Sequence, residues 1–151
     1  MSAESFKPIF MRIASSPSQL AVVRAVIEKV CELTGFDAKA AGRIMLSVDE
    51  ALTNVIRHAY DGADDQPIEV EVATITDSPA RSLRICLRDY GRVADPATIK
   101  SRDLANVRPG GLGVHIITEC MDQVTYTPAE GGGTLLTMVK KLPSEKETRK
   151  T

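Results

Sequence analysis

Glu50 and Asn54 stand four residues apart in a stretch whose apolar residues recur at helical spacing. One helical turn separates them, so a carboxylate and a carboxamide share an edge. Ser47, Glu50, Asn54 and His58 fall at i, i+3, i+7 and i+11 and form a polar line beside the hydrophobic stripe. On such an edge the carboxylate can take a proton from a hydroxyl or a water. The amide oxygen can join a magnesium shell made mostly of water and phosphate. A solvated helix face reads the same way, and Glu-x-x-x-Asn alone does not separate the two.

Three further places carry chemistry. Asp89-Tyr90-Gly91 ends a run in which apolar and basic residues alternate, which puts Asp89 at the carboxyl end of a strand. A buried acceptor there can read an exocyclic amine, and Gly91, lacking a Cβ, lets a planar base approach the backbone. A plain Asp-x-Gly turn is the competing reading. Gly110-Gly111-Leu112-Gly113 leads into Val114-His115-Ile116-Ile117. Unpaired N–H groups and a helix dipole then face one point and attract phosphate. The loop lacks the Gly-Lys-Ser/Thr of a Walker A motif and the preceding strand of a Rossmann loop, and a hinge remains open as an alternative. Thr134 can support Asp89 if their strands are neighbours. His58 and His115 have no carboxylate or thiol at metal spacing, so a zinc site has little support.

These residues need elements to hold them. Ile9–Ala14 alternates as a strand, and Ser16-Pro17 caps a helix carrying Leu20, Val23, Val26, Ile27, Val30 and Leu33 inward before Gly35. Asp37 caps a second helix from Ala38 to about Tyr60, with Ile44, Val48, Ala51, Leu52 and Val55 as its buried stripe. Ile68–Thr76 and Ser82–Arg88 read as a hairpin around Asp77-Ser78-Pro79. A long polar loop, Gly91–Gly113, precedes a short helix from Val114 to about Cys120. Gln123–Thr127 and Thr134–Lys141 then close the chain around Gly131-Gly132-Gly133. The expected order is β-α-α-β-β-loop-α-β-β, an α+β two-layer sandwich with helices on one face of a mixed, mainly antiparallel sheet.

The chain's 151 residues suffice for one well-buried core, and a single domain is expected, ordered from about residue 9 to 142 with a frayed tail at Pro143–Thr151. Nineteen Lys and Arg against twenty Asp and Glu give a net charge of -1, which with only 4% aromatic residues argues against nucleic acid as a partner. No run approaches the roughly twenty apolar residues of a membrane span, and no leader pattern opens the chain, so a cytoplasmic location is expected. Cys31, Cys86 and Cys120 lack metal spacing and read as buried small hydrophobes in a reducing compartment.

In chain order, Asp49-Glu50-Ala51-Leu52-Thr53-Asn54-Val55-Ile56-Arg57-His58-Ala59-Tyr60, Asp89-Tyr90-Gly91 with Asp95-Pro96, Gly110-Gly111-Leu112-Gly113 and Gly132-Gly133-Thr134 resemble the N, G1, G2 and G3 boxes of GHKL (Bergerat-fold) ATPases. The resemblance covers about Ile9 to Leu142. The Asn-x-x-x-His-Ala-Tyr variant, with Met121-Asp122-x-Val124, is similar to the anti-sigma-factor serine kinases within that superfamily. It implies a Bergerat sandwich that binds ATP and magnesium, captures a sigma factor, and phosphorylates a serine or threonine of a STAS-fold anti-anti-sigma antagonist. It also implies a homodimer, and no direct contact with nucleic acid or membrane.

Carried onto this sequence, the resemblance makes Glu50 the general base, Asn54 the magnesium ligand, Asp89 the adenine reader supported by Thr134, and Gly91 the base-approach glycine. Gly110, Gly111, Leu112, Gly113 and Val114 form the phosphate loop, and Arg57 and His58 join the nucleotide-contacting set. Arg108, or alternatively Arg102, is the γ-phosphate cation on a lid running from Arg92 to Pro109. Two departures stand out. Pro109 occupies the place immediately before the turn where kinases of this group often have Arg or Lys. Arg92-Val93-Ala94 replaces the proline and aromatic common before the G1 aspartate. A nucleotide-gated binding module with little or no kinase activity is the main alternative function. A detached histidine-kinase catalytic domain and a DNA-compacting role are further ones.

Overall fold

The computed structural model describes residues 7–76, 81–91 and 116–143. Its elements run β1 (Ile9–Ala14), α1 (Pro17–Leu33), α2 (Ala38–Asn54), a π-helical turn (Val55–Ala59), β2 (Pro67–Ile75), β3 (Ser82–Asp89), helical residues 116–120, β4 (Gln123–Pro128) and β5 (Thr134–Lys141). The strands lie in the order β1-β2-β3-β5-β4, and each of the four pairings is antiparallel.

Strand periodicity sorts this sheet into two faces. Leu83, Ile85, Leu87 and Asp89 of β3 are buried, while Ser82, Arg84, Cys86 and Arg88 between them are half-buried. The register continues the first set through Ile68, Val70 and Val72 of β2 and Leu136 and Met138 of β5. That face packs on Val23, Ile27, Val30 and Cys31 of α1 and on Ile44, Val48, Ala51 and Leu52 of α2, in one core cluster. Full burial of a side chain such as Ile44 or Leu52 contributes about 1.5–3 kcal/mol. The sequence-predicted two-layer α+β sandwich is what forms.

Local chemistry sets the helix ends. Pro17 occupies the first turn of α1, and Asp37 caps α2 by accepting the Ala40 N–H at 2.7 Å. Leu33, expected in the stripe of α1, is 38% exposed; Cys31 takes the core position, and Gly35 turns the chain with φ 91°. Burial pushes the Cys31 thiol up to about 12, which keeps it protonated and inert. Cys120 is also buried, but Cys86 is only half-buried, on the sheet face that no described helix covers, with its sulfur 3.8 Å from Thr137 Oγ1. A bidentate pair from Arg24 to Asp49, 3.0–3.2 Å, ties α1 to α2.

α2 does not run to Tyr60 as a regular helix. From Val55 to Ala59 the backbone widens to a π-helical turn, closed by Tyr60 N–H donating to the Val55 carbonyl at 3.1 Å. Arg57 and His58, both on this turn, are exposed. Ser47, at the other end of the expected polar line, is wholly buried and donates to the Arg43 carbonyl one turn back at 3.0 Å. With Ser47 in the core, the polar edge starts at Glu50 and Asn54, both half-buried.

Candidate functional site

Asp89 is the last residue of β3 and lies on the covered face with Leu87, Ile85 and Leu83, only 5% exposed. Burial raises its carboxyl above the ordinary 3.8. The N–H groups of Gly91 and Thr134, and then the Arg88 charge, work in the opposite direction. The Gly91 N–H reaches Oδ1 at 3.0 Å. The β3–β5 register pairs Arg88 with Leu135, so one step further sets Thr134, also 5% exposed, opposite Asp89. The neighbourhood of strands on which a Thr134–Asp89 partnership depends is therefore present.

The helix carrying Glu50 and Asn54 is brought to this carboxylate by its π-helical end. Tyr60, 8% exposed, accepts the Tyr90 N–H at 2.7 Å and donates its hydroxyl to the Pro67 carbonyl. One phenol thus joins the end of α2, the start of β2 and the residue after Asp89. Beside it, a Cβ on Gly91 would collide with the Ala59 carbonyl oxygen and lie 2.7 Å from its carbon. Glycine at 91 is required by the protein's own backbone, a reason not visible in the letters Asp-Tyr-Gly.

Gly133 makes the matching contact from the other side. Its φ is +85°, and a Cβ there would strike the Asp89 carbonyl oxygen and lie 2.8 Å from Tyr90 Cα. Asp89 is therefore gripped between the end of the α2 segment and the glycine turn that opens β5. The helical residues 116–120 are anchored nearby in sequence. Lys140 Nζ donates to the Cys120 carbonyl at 3.0 Å, and Asp122 accepts the Lys141 N–H at 2.7 Å and donates its own N–H to Val139. Met121-Asp122-x-Val124 thus fastens that helix end to β5.

Asn54 offers a direct test of fit for a cation and its phosphates. Its side-chain amide nitrogen is buried without a hydrogen-bond partner among the described residues. A buried polar group left unpaired costs about 1–3 kcal/mol, so the carboxamide is suited to a ligand that completes its bonding. Its oxygen is the hard donor type that magnesium takes, alongside water and phosphate oxygens. Arg102, Arg108, Gly110, Gly111, Leu112, Gly113 and Val114 lie outside the described residues. A cleft of about 400 Å³ lined by Phe10, Arg12, Glu69, Cys86, Arg88 and Leu135 opens on the opposite sheet face, away from the side occupied by Asp89.

Residues 13–140 match the histidine kinase-like ATPase domain family. The chain belongs to that family. Serine-protein kinase RsbW of Listeria monocytogenes serotype 4a (strain HCC23) is 28% identical to this histidine kinase-like ATPase domain over 137 residues, covering 85% of each chain. Serine-protein kinase RsbW of Bacillus velezensis is 26% identical over 147 residues, covering 91% of this chain and 88% of the relative.

Two solved structures share the fold of this histidine kinase-like ATPase domain. The RsbU and RsbW domains of a Mycobacterium tuberculosis protein superpose with a TM-score of 0.64 at 17% identity, over 91% of this chain and 33% of that one. The SiaB–SiaC complex from Pseudomonas aeruginosa gives 0.57 at 13% identity, over 89% of this chain and 88% of its counterpart.

Sequence reading singled out Glu50, Asn54 and Asp89 as candidates but missed the contacts that join the segments carrying them. Tyr60 enters the sequence reading as the end of a helix and the last residue of the first box, with no role of its own, yet it is the bridge to Tyr90. Its signal was an aromatic residue with a polar tip placed directly between a helix and a strand. Arg88 read as one of the basic residues alternating along β3, yet it reaches the glycine turn, donating to the Glu130 and Gly132 carbonyls at 2.8 and 3.1 Å.

Proposed function

We propose that this histidine kinase-like ATPase domain is an ATP-dependent protein serine/threonine kinase that also acts as an anti-sigma factor, sequestering a sigma factor and phosphorylating a STAS-fold antagonist in the cytoplasm. The observation that carries the reading is Asp89, a buried carboxylate at the covered end of β3, clasped between the glycine turn and the end of the helix that bears Glu50 and Asn54. The names of the curated relatives and the box motifs support the serine-kinase activity; the resemblance supplies the partners.

In this reading Asp89, supported by Thr134, accepts a hydrogen bond from the exocyclic amine of adenine and fixes the nucleotide's orientation. Asn54 holds magnesium, which when bound neutralises charge on the phosphates. Arg108 or Arg102 supplies the cation for the γ-phosphate, and the glycines at 110, 111 and 113 offer backbone N–H groups to it. Glu50 accepts the proton of the antagonist's serine hydroxyl as that oxygen bonds to the γ-phosphorus. The bond from phosphorus to the β,γ-bridging oxygen breaks, and ADP leaves. Orientation and electrostatic stabilisation suffice for such a transfer.

The test is transfer of labelled γ-phosphate from magnesium–ATP to a purified STAS-fold antagonist. Wild type is expected to form a phosphoserine or phosphothreonine. Glu50→Ala is expected to lose transfer by at least about a hundredfold, the usual contribution of a general base, while still binding nucleotide. Nucleotide binding by wild type with no transfer to any such antagonist would overturn the kinase assignment.

A further inference from the structure

Arg88 stands next to Asp89 in β3 and faces the other side of the sheet. Its guanidinium lies 4.3 Å from the centre of the Tyr90 ring, whose hydroxyl donates to Glu69, the cross-strand partner of Arg88 on β2. From that braced position its Nη2 donates to the Glu130 carbonyl at 2.8 Å and the Gly132 carbonyl at 3.1 Å. Those carbonyls belong to the turn that delivers Thr134. The turn contains Gly131, Gly132 and Gly133 in succession, with φ of 85°, 105° and 85°. Between its strands its own backbone supplies the Ala129–Gly133 and Gly132–Ala129 hydrogen bonds.

Three consecutive glycines in the left-handed region form a turn with little intrinsic preference for one shape. Its shape matters because Gly133 must lie flush on the Asp89 backbone and the Thr134 N–H must reach the Asp89 carboxylate. We propose that Arg88 is a positioning residue for nucleobase recognition, holding the Glu130–Gly133 turn from the uncovered face of the sheet so that Thr134 and Asp89 keep the geometry that selects an amine-bearing purine. The inference rests on the reading of Asp89 as the base reader. Arg88 itself touches no nucleotide and acts through the turn.

The experiment compares binding of ATP with that of inosine triphosphate, which carries a carbonyl in place of the exocyclic amine, by calorimetry on the full chain. Wild type is expected to prefer ATP, and Asp89→Asn to lose ATP binding and with it that preference. Arg88→Met is expected to lower the ATP-over-ITP ratio about tenfold, chiefly by weakening ATP, with Arg88→Lys restoring part of it through its remaining donor and charge. Arg88→Gln carries the same expectation as Arg88→Met, so a variant that fails to fold leaves the ratio readable in the other.

Equal weakening of both nucleotides, or none of either, would reduce Arg88 to a structural residue and overturn the inference. That result together with lost selectivity in Asp89→Asn would leave the base-reading assignment standing. Absence of any ATP preference in wild type would remove that assignment and this inference with it.

Discussion

The backbone N–H of Tyr90 donates to the phenolic oxygen of Tyr60 at 2.7 Å. This bond joins the segment that ends the Glu50–Asn54 helix to the segment that ends the Asp89 strand. Two candidate halves of one site, 35 or more residues apart in sequence, are thereby held in one frame.

Tyr60→Phe keeps the ring in the core and removes only the oxygen. The Tyr90 N–H and the Pro67 carbonyl then lose their shared partner. The expected cost is about 1–3 kcal/mol, the usual penalty for a buried polar group left unpaired, read by urea denaturation. ATP affinity is expected to fall as well, because the end of β3 is no longer tied to the α2 segment. Unchanged stability and unchanged affinity would contradict the bridging role.

Two glycines give opposite expectations for the same substitution. Gly91→Ala places a Cβ 2.7 Å from the Ala59 carbonyl carbon and 2.9 Å from its Cβ, where the obstacle is backbone and cannot swing aside. About 1–3 kcal/mol of destabilisation is expected. Gly42 lies inside α2, where a Cβ would meet nothing within 4 Å beyond its own helix backbone and chain neighbours, so Gly42→Ala is expected to stabilise by about 0.5–1 kcal/mol through helix propensity. Thermal melts of the two variants check the contrast, and similar shifts of one sign would refute it.

Asp89 gives the protein a pH signature. Burial holds its folded pKa above the ordinary 3.8 that it has in the unfolded chain, so between those two values the folded state binds more protons. Its contribution to stability is fully present below 3.8 and is lost as pH rises through the folded value. Asp89→Asn has no such titration. The unfolding free energy of the variant relative to wild type should therefore climb as pH rises across that window, measured by denaturant titration at a series of pH values. A flat difference would show that the carboxylate is ionised without cost in the fold.

The sequence carried the fold in its periodicities. The proline start of α1, the Asp37 cap, the antiparallel pairing of β2 with β3 and the final pair of strands all follow from local letters, although Ser16 makes no side-chain cap bond, and their order left little choice but helices over one sheet face. The helix beyond Asn54 was not legible. Its letters suit a regular α-helix, but Tyr60 is drawn to Pro67 and Tyr90, and Ala59 is packed on Gly91, contacts that arise only once β2 and β3 exist. Ser47 was misplaced on the polar edge for a similar reason: its hydroxyl is satisfied by the Arg43 carbonyl, which lets a polar residue be buried like an alanine. The reach of Arg88 to the glycine turn likewise depends on β5 lying beside β3, a pairing across about fifty residues of chain.

The most direct test of the central claim is calorimetric titration of ATP into wild type and Asp89→Asn, each with and without magnesium. The account predicts magnesium-dependent ATP binding by wild type that Asp89→Asn abolishes, since it assigns the reading of adenine to the buried carboxylate. Failure of wild type to bind ATP under either condition, or equal binding by both proteins, would contradict it.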